Sequence, residues 1–89
     1  MTRYSLRFTK RADKQFSKMD PGVRRIILAW LRKNVADNPG PRVHGKALTG
    51  DRAESWRYRI GSYRVLCEIH DAQAIVLAVE SGHRREVYK

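Results

Sequence analysis

The sequence predicts an α+β sandwich: a mostly antiparallel four-stranded sheet with a helical hairpin packed on one face, in the order β-α-α-β-β-β. Three observations lead there. Residues 55–69, S-W-R-Y-R-I-G-S-Y-R-V-L-C-E-I, alternate apolar and polar side chains about Gly61-Ser62. That is the pattern of a β-hairpin on a two-residue turn. Two stretches of helical periodicity, each opened by a capping residue, lie between a short N-terminal strand and this hairpin. A last apolar stretch near residue 75 supplies the fourth strand.

Tyr4 to Phe8 alternates apolar and polar residues and reads as a strand with one buried face. Thr9 is placed to cap a helix reaching about Met19, with Ala12, Gln15, Phe16 and Met19 on one stripe. Asp20-Pro21 opens the second helix, Asp as N-cap and Pro in the first turn. Val23, Ile26, Ile27, Trp30, Leu31 and Val35 give it a wide apolar stripe, and Asn38-Pro39-Gly40-Pro41 ends it. A basic loop over residues 38–54 carries Arg42, His44, Lys46 and Arg52. Its length in so small a chain favours contact with a partner.

Pairing Ile60 with Tyr63 puts Arg59 opposite Arg64. Trp56, Tyr58, Ile60, Tyr63, Val65 and Cys67 then share the inner face, and Arg57, Arg59 and Arg64 the outer one. For the last strand, a three-residue turn at Asp71-Ala72-Gln73 sends Ile75, Leu77 and Val79 inward and sets Glu80 opposite Arg64. A two-residue turn sends Ala74, Val76 and Ala78 inward instead. The first buries more apolar area and is the expected register.

The chain has 89 residues, 19 Lys+Arg and 9 Asp+Glu, for a formal net charge of +10. At this length one domain, residues 1–89, is expected, with a modest core. The positive excess suits a polyanion, and nucleic acid leads. The basic residues are not gathered on one amphipathic helix, so a membrane surface fits less well. One cysteine, Cys67, excludes an intramolecular disulfide, and no Cys/His cluster has zinc spacing. Without an apolar leader or a spanning run, a cytoplasmic protein is expected.

Like charges directly opposite on a sheet are unfavourable, so three converging arginines point to an anion. With Arg84, Arg85 and Tyr88 of the tail they suit a phosphodiester: guanidiniums hold phosphate oxygens and offset developing charge, and a tyrosine stacks on a base. No carboxylate pair or metal-ligand set suggests a two-metal nuclease. Cutting would then use the RNA's own 2′-hydroxyl and leave a cyclic phosphate, with no metal or other cofactor.

The hairpin W-R-Y-R-I-G-S-Y-R-V, the K-A-L-T-G segment before it and the tail S-G-H-R-R-E-V-Y resemble the RelE branch of the RelE/ParE toxin superfamily. The resemblance covers nearly the whole chain. It implies the toxin of a type II toxin–antitoxin system, a ribosome-dependent mRNA endoribonuclease cutting in the A site. It also implies a cognate RelB-like antitoxin and a toxin–antitoxin complex on operator DNA. By position, Arg57 and Arg59 stand where well-known members carry lysines that contact the scissile phosphate. Arg64 matches the arginine that stabilises the transition state. Arg84 matches the tail arginine at the leaving group, and Tyr88 the tyrosine that orients the base. Lys46, Arg52 and Arg85 are expected RNA contacts.

Arginine is effectively never deprotonated, so Arg57 and Arg59 make poor bases. His83 is the expected proton acceptor. The alternative function is a ParE-like, non-enzymatic inhibitor of DNA gyrase on the same fold, a branch that typically lacks this arginine set with its terminal tyrosine. Other residues have structural readings: Trp30, Trp56, Tyr58 and Tyr63 in the core, Cys67 a small buried hydrophobe, His44 and His70 on the surface. The helix cations form a solvated face or touch ribosomal RNA.

Overall fold

Thr9 and Asp20 start the two helices as their side-chain chemistry requires. In the computed structural model, which describes residues 2–48 and 54–83, Thr9 Oγ1 accepts the Ala12 N–H at 3.1 Å. Asp20 Oδ2 accepts the N–H groups of Gly22 at 3.0 Å and Val23 at 3.4 Å. These bonds satisfy amide groups that a helix start leaves unpaired. Strand β1 (Ser5–Phe8) leads into α1 (Lys10–Ser17) and α2 (Pro21–Asn34). Then follow β2 (Lys46–Ala47), β3 (Ser55–Ile60), β4 (Tyr63–His70) and β5 (Ile75–His83).

The sheet has five strands, in the order β1-β5-β4-β3-β2, against the four expected. The added strand is two residues long, Lys46 opposite Arg57 and Ala47 opposite Trp56. Two residues are too few for alternation to show. β1 lies parallel to β5, and the other pairings are antiparallel. The hairpin has the expected register, Arg59 opposite Arg64 and Ile60 opposite Tyr63. Gly61 sits at φ +61°, and Ser62 keeps an ordinary φ, the signature of a type II′ turn.

The last strand corrects the expected register. Ile69 stands opposite Val76 and Cys67 opposite Ala78, so Val76 and Ala78 are buried, not the Ile75, Leu77 and Val79 set. The turn spans Asp71 to Ala74, with Ala74 at φ +54°. Close approach of α1 explains why total apolar area did not decide. Ala12 and Ala78 are both fully buried, and the Ser81 hydroxyl donates to the Ala12 carbonyl at 3.3 Å. Larger side chains there would hold the helix off the sheet. A bulge between Leu66 and Cys67 then shifts the alternation. Gly82, not Glu80, ends up opposite Arg64, and Glu80 pairs with Arg11 of α1 at 2.9 Å.

The core gathers Ala12 and Phe16 of α1, Ile27 and Leu31 of α2 with Val35 after it, and the inner faces of β3, β4 and β5. Ile26, expected in the buried stripe, is 65% exposed. It sits one helical step round from Ile27, past the edge of the contact with the sheet. No helix of the described residues is long and apolar enough to cross a membrane.

The segment between α2 and β2 is clasped to the rest of the fold. Arg42 grips Asp71 with both terminal guanidinium nitrogens, at 2.9 and 3.0 Å, and the Tyr4 hydroxyl donates to Asp71 at 2.6 Å. The Arg42 guanidinium also lies 5.9 Å from the Trp56 ring centroid. The Tyr58 hydroxyl donates to the Pro41 carbonyl, and Trp56 Nε1 to the His44 carbonyl at 2.7 Å. Arg42 first, and then Tyr4, hold the Asp71 carboxyl down to about 2 from the ordinary 3.8. A carboxyl whose folded value is lowered stabilises the fold above its unfolded value, and that gain is lost as pH falls through the folded one. The Asp71→Asn variant should therefore melt lower at neutral pH by a few degrees, reflecting about 1 kcal/mol for an exposed pair. The gap to the unaltered protein should close as pH falls from 3.8 to about 2, followed by thermal melts.

Candidate nucleic-acid interface

The inner face of the hairpin dictates what the outer face presents. Tyr58, Ile60, Val65 and Cys67 are buried on the helix side. Slipping one residue would turn all of them out to solvent, at roughly 1.5–3 kcal/mol for each large apolar side chain. Repulsion between two cations facing each other across strands costs about 1 kcal/mol or less. Burial wins, and the arginines are held together.

Four cations result on that face. Arg59 faces Arg64 directly across the hairpin, and Lys46 faces Arg57 across the β2–β3 pair. Facing residues have Cβ atoms about 5 Å apart, so the cluster is within reach of one or two phosphates. Lys46 and Arg59 are exposed, and Arg57 and Arg64 half-buried. Arg64 lies opposite Gly82.

A cavity of about 260 Å³ opens beside this cluster, lined by Trp30, His44, Gly45, Lys46, Arg57 and Arg59. Gly45 makes the wall possible. Its φ is +84°, and a Cβ there would collide with the Arg57 carbonyl and the Trp56 indole. Only glycine lets the loop lie this close to β3. His44, read from sequence as a surface residue, is exposed but belongs to this cavity. The signal that would have found it is the His44-Gly45-Lys46 run itself. A glycine needed at positive φ fixes both neighbours against β3, but that need is invisible until β2 is seen to pair.

His83 lies elsewhere. It stands opposite Tyr63, with ring centroids 5.5 Å apart, and so shares the helix-side face of Tyr63 instead of the face of Arg64. It lines a different cavity, about 370 Å³, with Gln15, Lys18 and Met19. The register sets His83 on the face opposite to that of Arg57, Arg59 and Arg64, contrary to its expected role. The neighbouring aromatic and thiol are not proton acceptors either. Burial pushes the Tyr58 hydroxyl and the Cys67 thiol well above their ordinary values. Among the described residues no three His, Cys, Asp or Glu side chains gather into a metal-binding group. Arg52, Arg84, Arg85 and Tyr88 lie outside the described residues.

The fold is shared with known toxins. The family model described as the ParE toxin of type II toxin–antitoxin systems matches residues 6–88. Toxin RelG of Mycobacterium tuberculosis is 29% identical over 86 residues, which is 97% of each chain. The structure of the toxin–antitoxin complex RelBE2 of M. tuberculosis matches with a TM-score of 0.78 at 30% identity, over 94% of each chain. A mutant of the E. coli toxin RelE in the free state matches with a TM-score of 0.78 at 25% identity, over 98% of this chain and 92% of that one. The chain belongs to the ParE toxin family of type II toxin–antitoxin systems, as a RelE-like member of the RelE/ParE superfamily.

Proposed function

We propose that this toxin is a ribosome-dependent endoribonuclease that cuts mRNA in the decoding A site by attack of the RNA's own 2′-hydroxyl. The observation that carries this reading is the meeting of Lys46, Arg57, Arg59 and Arg64 on one open face. Arg57 and Arg59 hold the scissile phosphate. Arg64 offsets the negative charge that grows on the phosphoryl oxygens as phosphorus becomes five-coordinate. Arg84 serves the leaving 5′-oxygen, and Tyr88 stacks on the base. Lys46, Arg52 and Arg85 bind the RNA backbone. The ribosome orders the strand, so proximity and orientation supply much of the rate and free RNA is a poor substrate.

Similarity to a chain of the M. tuberculosis RelBE2 toxin–antitoxin complex supports a cognate RelB-like antitoxin as partner. A formal charge of +10 favours an antitoxin segment carrying acidic residues, and the pair would act together on operator DNA. The match to a ParE toxin model favours a second reading, inhibition of DNA gyrase without catalysis.

Mapping mRNA 5′ ends after incubation with programmed ribosomes separates the two readings. Cuts in the A site leaving 2′,3′-cyclic phosphate ends are the expected result. Gyrase-dependent DNA breaks without such cuts would replace the ribonuclease reading with the second. The Arg64→Ala variant should cut about 10²- to 10³-fold more slowly in single-turnover assays, the usual loss on removing one transition-state donor. Lys46→Gln should weaken binding to single-stranded RNA and lower the slope of log affinity against log salt by roughly 0.7, one phosphate contact.

A further inference from the structure

We propose that His44 is the proton acceptor of this site, taking the 2′-hydroxyl proton of RNA held by Lys46, Arg57 and Arg59. The inference rests on the ribonuclease reading and supplies the group that reading lacks. A 2′-hydroxyl needs a base, and guanidinium groups do not give up protons to become one. Of the described side chains lining the 260 Å³ cavity, His44 is the one with a nitrogen lone pair that can take up a proton. Lys46, Arg57 and Arg59 enter as cations, and the Trp30 indole is a donor only.

The other histidines are placed for other things. His70 Nε2 lies 3.0 Å from Glu68 Oε1, near the β4–β5 turn and away from the hairpin tip. His83 packs edge-on to Tyr63 on the helix side.

The backbone of His44 is pinned while its ring stays exposed. Its carbonyl accepts the Trp56 Nε1–H at 2.7 Å, and Gly45 presses the next residue onto β3. The ring meets Trp30 edge-on, with centroids 5.5 Å apart. Among the described residues, the charged side chains that line the cavity with it are positive: Lys46 from β2, and Arg57 and Arg59 from β3. Helix α2 contributes the neutral Trp30, and no carboxylate of the described residues lines the cavity.

The step balances without oxidant or metal. The imidazole lone pair takes the 2′-O–H proton as the 2′-oxygen bonds to phosphorus. The bond from phosphorus to the 5′-oxygen breaks, and that oxygen leaves with the electron pair and takes a proton from water. The products are a 2′,3′-cyclic phosphate and a 5′-hydroxyl. The imidazolium returns its proton to the hydroxide left behind.

The test is single-turnover cleavage on programmed ribosomes across roughly pH 5.5 to 8.5, the span in which imidazole titrates. The unaltered protein should show a rate that climbs with pH along an acidic limb. His44→Gln should lose about 10²-fold or more in rate, together with that limb. Added imidazole should restore cleavage by His44→Ala, which a merely structural role would not allow. His70→Gln should behave as the unaltered protein, and thermal melts check that each variant folds. Cleavage by His44→Gln at the full rate with its acidic limb intact would overturn the proposal. So would a limb that disappears in His83→Gln and persists in His44→Gln. A protein that makes no A-site cuts at all would instead overturn the ribonuclease reading, and this proposal with it.

Discussion

Cations of like sign stay together on this sheet because the residues beneath them cannot turn over. Alternation along β3 and β4 binds each outward arginine to an inward apolar neighbour. Tyr58 and Val65 are fully buried, and Ile60 nearly so, under the helices. The burial of that inner row exceeds the repulsion of the outer row by several kcal/mol, so the arginines are held together by the fold itself. Preorganisation is what lets fixed charges stabilise a transition state without first paying to assemble.

The same logic extends the cluster beyond the hairpin. Lys46 faces Arg57 only because the loop from α2 is held in place at several points. The Arg42–Asp71–Tyr4 clasp ties that loop to β1 and to the β4–β5 turn. The bond from Trp56 to the His44 carbonyl and the positive φ of Gly45 then seat it against β3. Contacts far along the chain thus decide where one lysine and one imidazole sit. The chemistry divides accordingly: the hairpin supplies fixed positive charge, and the loop supplies a group able to take up a proton.

Much of this was legible from residues alone. Helix starts at Thr9 and Asp20, the Gly61-Ser62 turn, the hairpin register and the inner and outer rows are local consequences of capping, turn chemistry and alternation. The resemblance carried by the hairpin and tail also led to the right superfamily. Apolar area alone favours Ile75, Leu77 and Val79 on the inner face of β5, but Ala78 is buried there because α1 crosses close above it. The turn over Asp71 to Ala74 already removes the Glu80–Arg64 pairing, and a bulge that no periodicity announces moves the partner of Arg64 on to Gly82.

The sequence by itself determined which side chains share a face within the hairpin, because alternation and a two-residue turn leave one register that buries the apolar row. It determined the positive charge of that face and the chemistry the charge suits. Only the tertiary structure decided which histidine stands with it. His83 is next to the tail arginines in sequence, but the bulged register turns it to the helix side. His44 is thirteen residues before Arg57, but the β2–β3 pairing and a glycine pressed against a carbonyl bring it into the cavity. Proximity along a chain is set by covalent bonds, whereas proximity at a site is set by which strands pair and how closely helices pack on them.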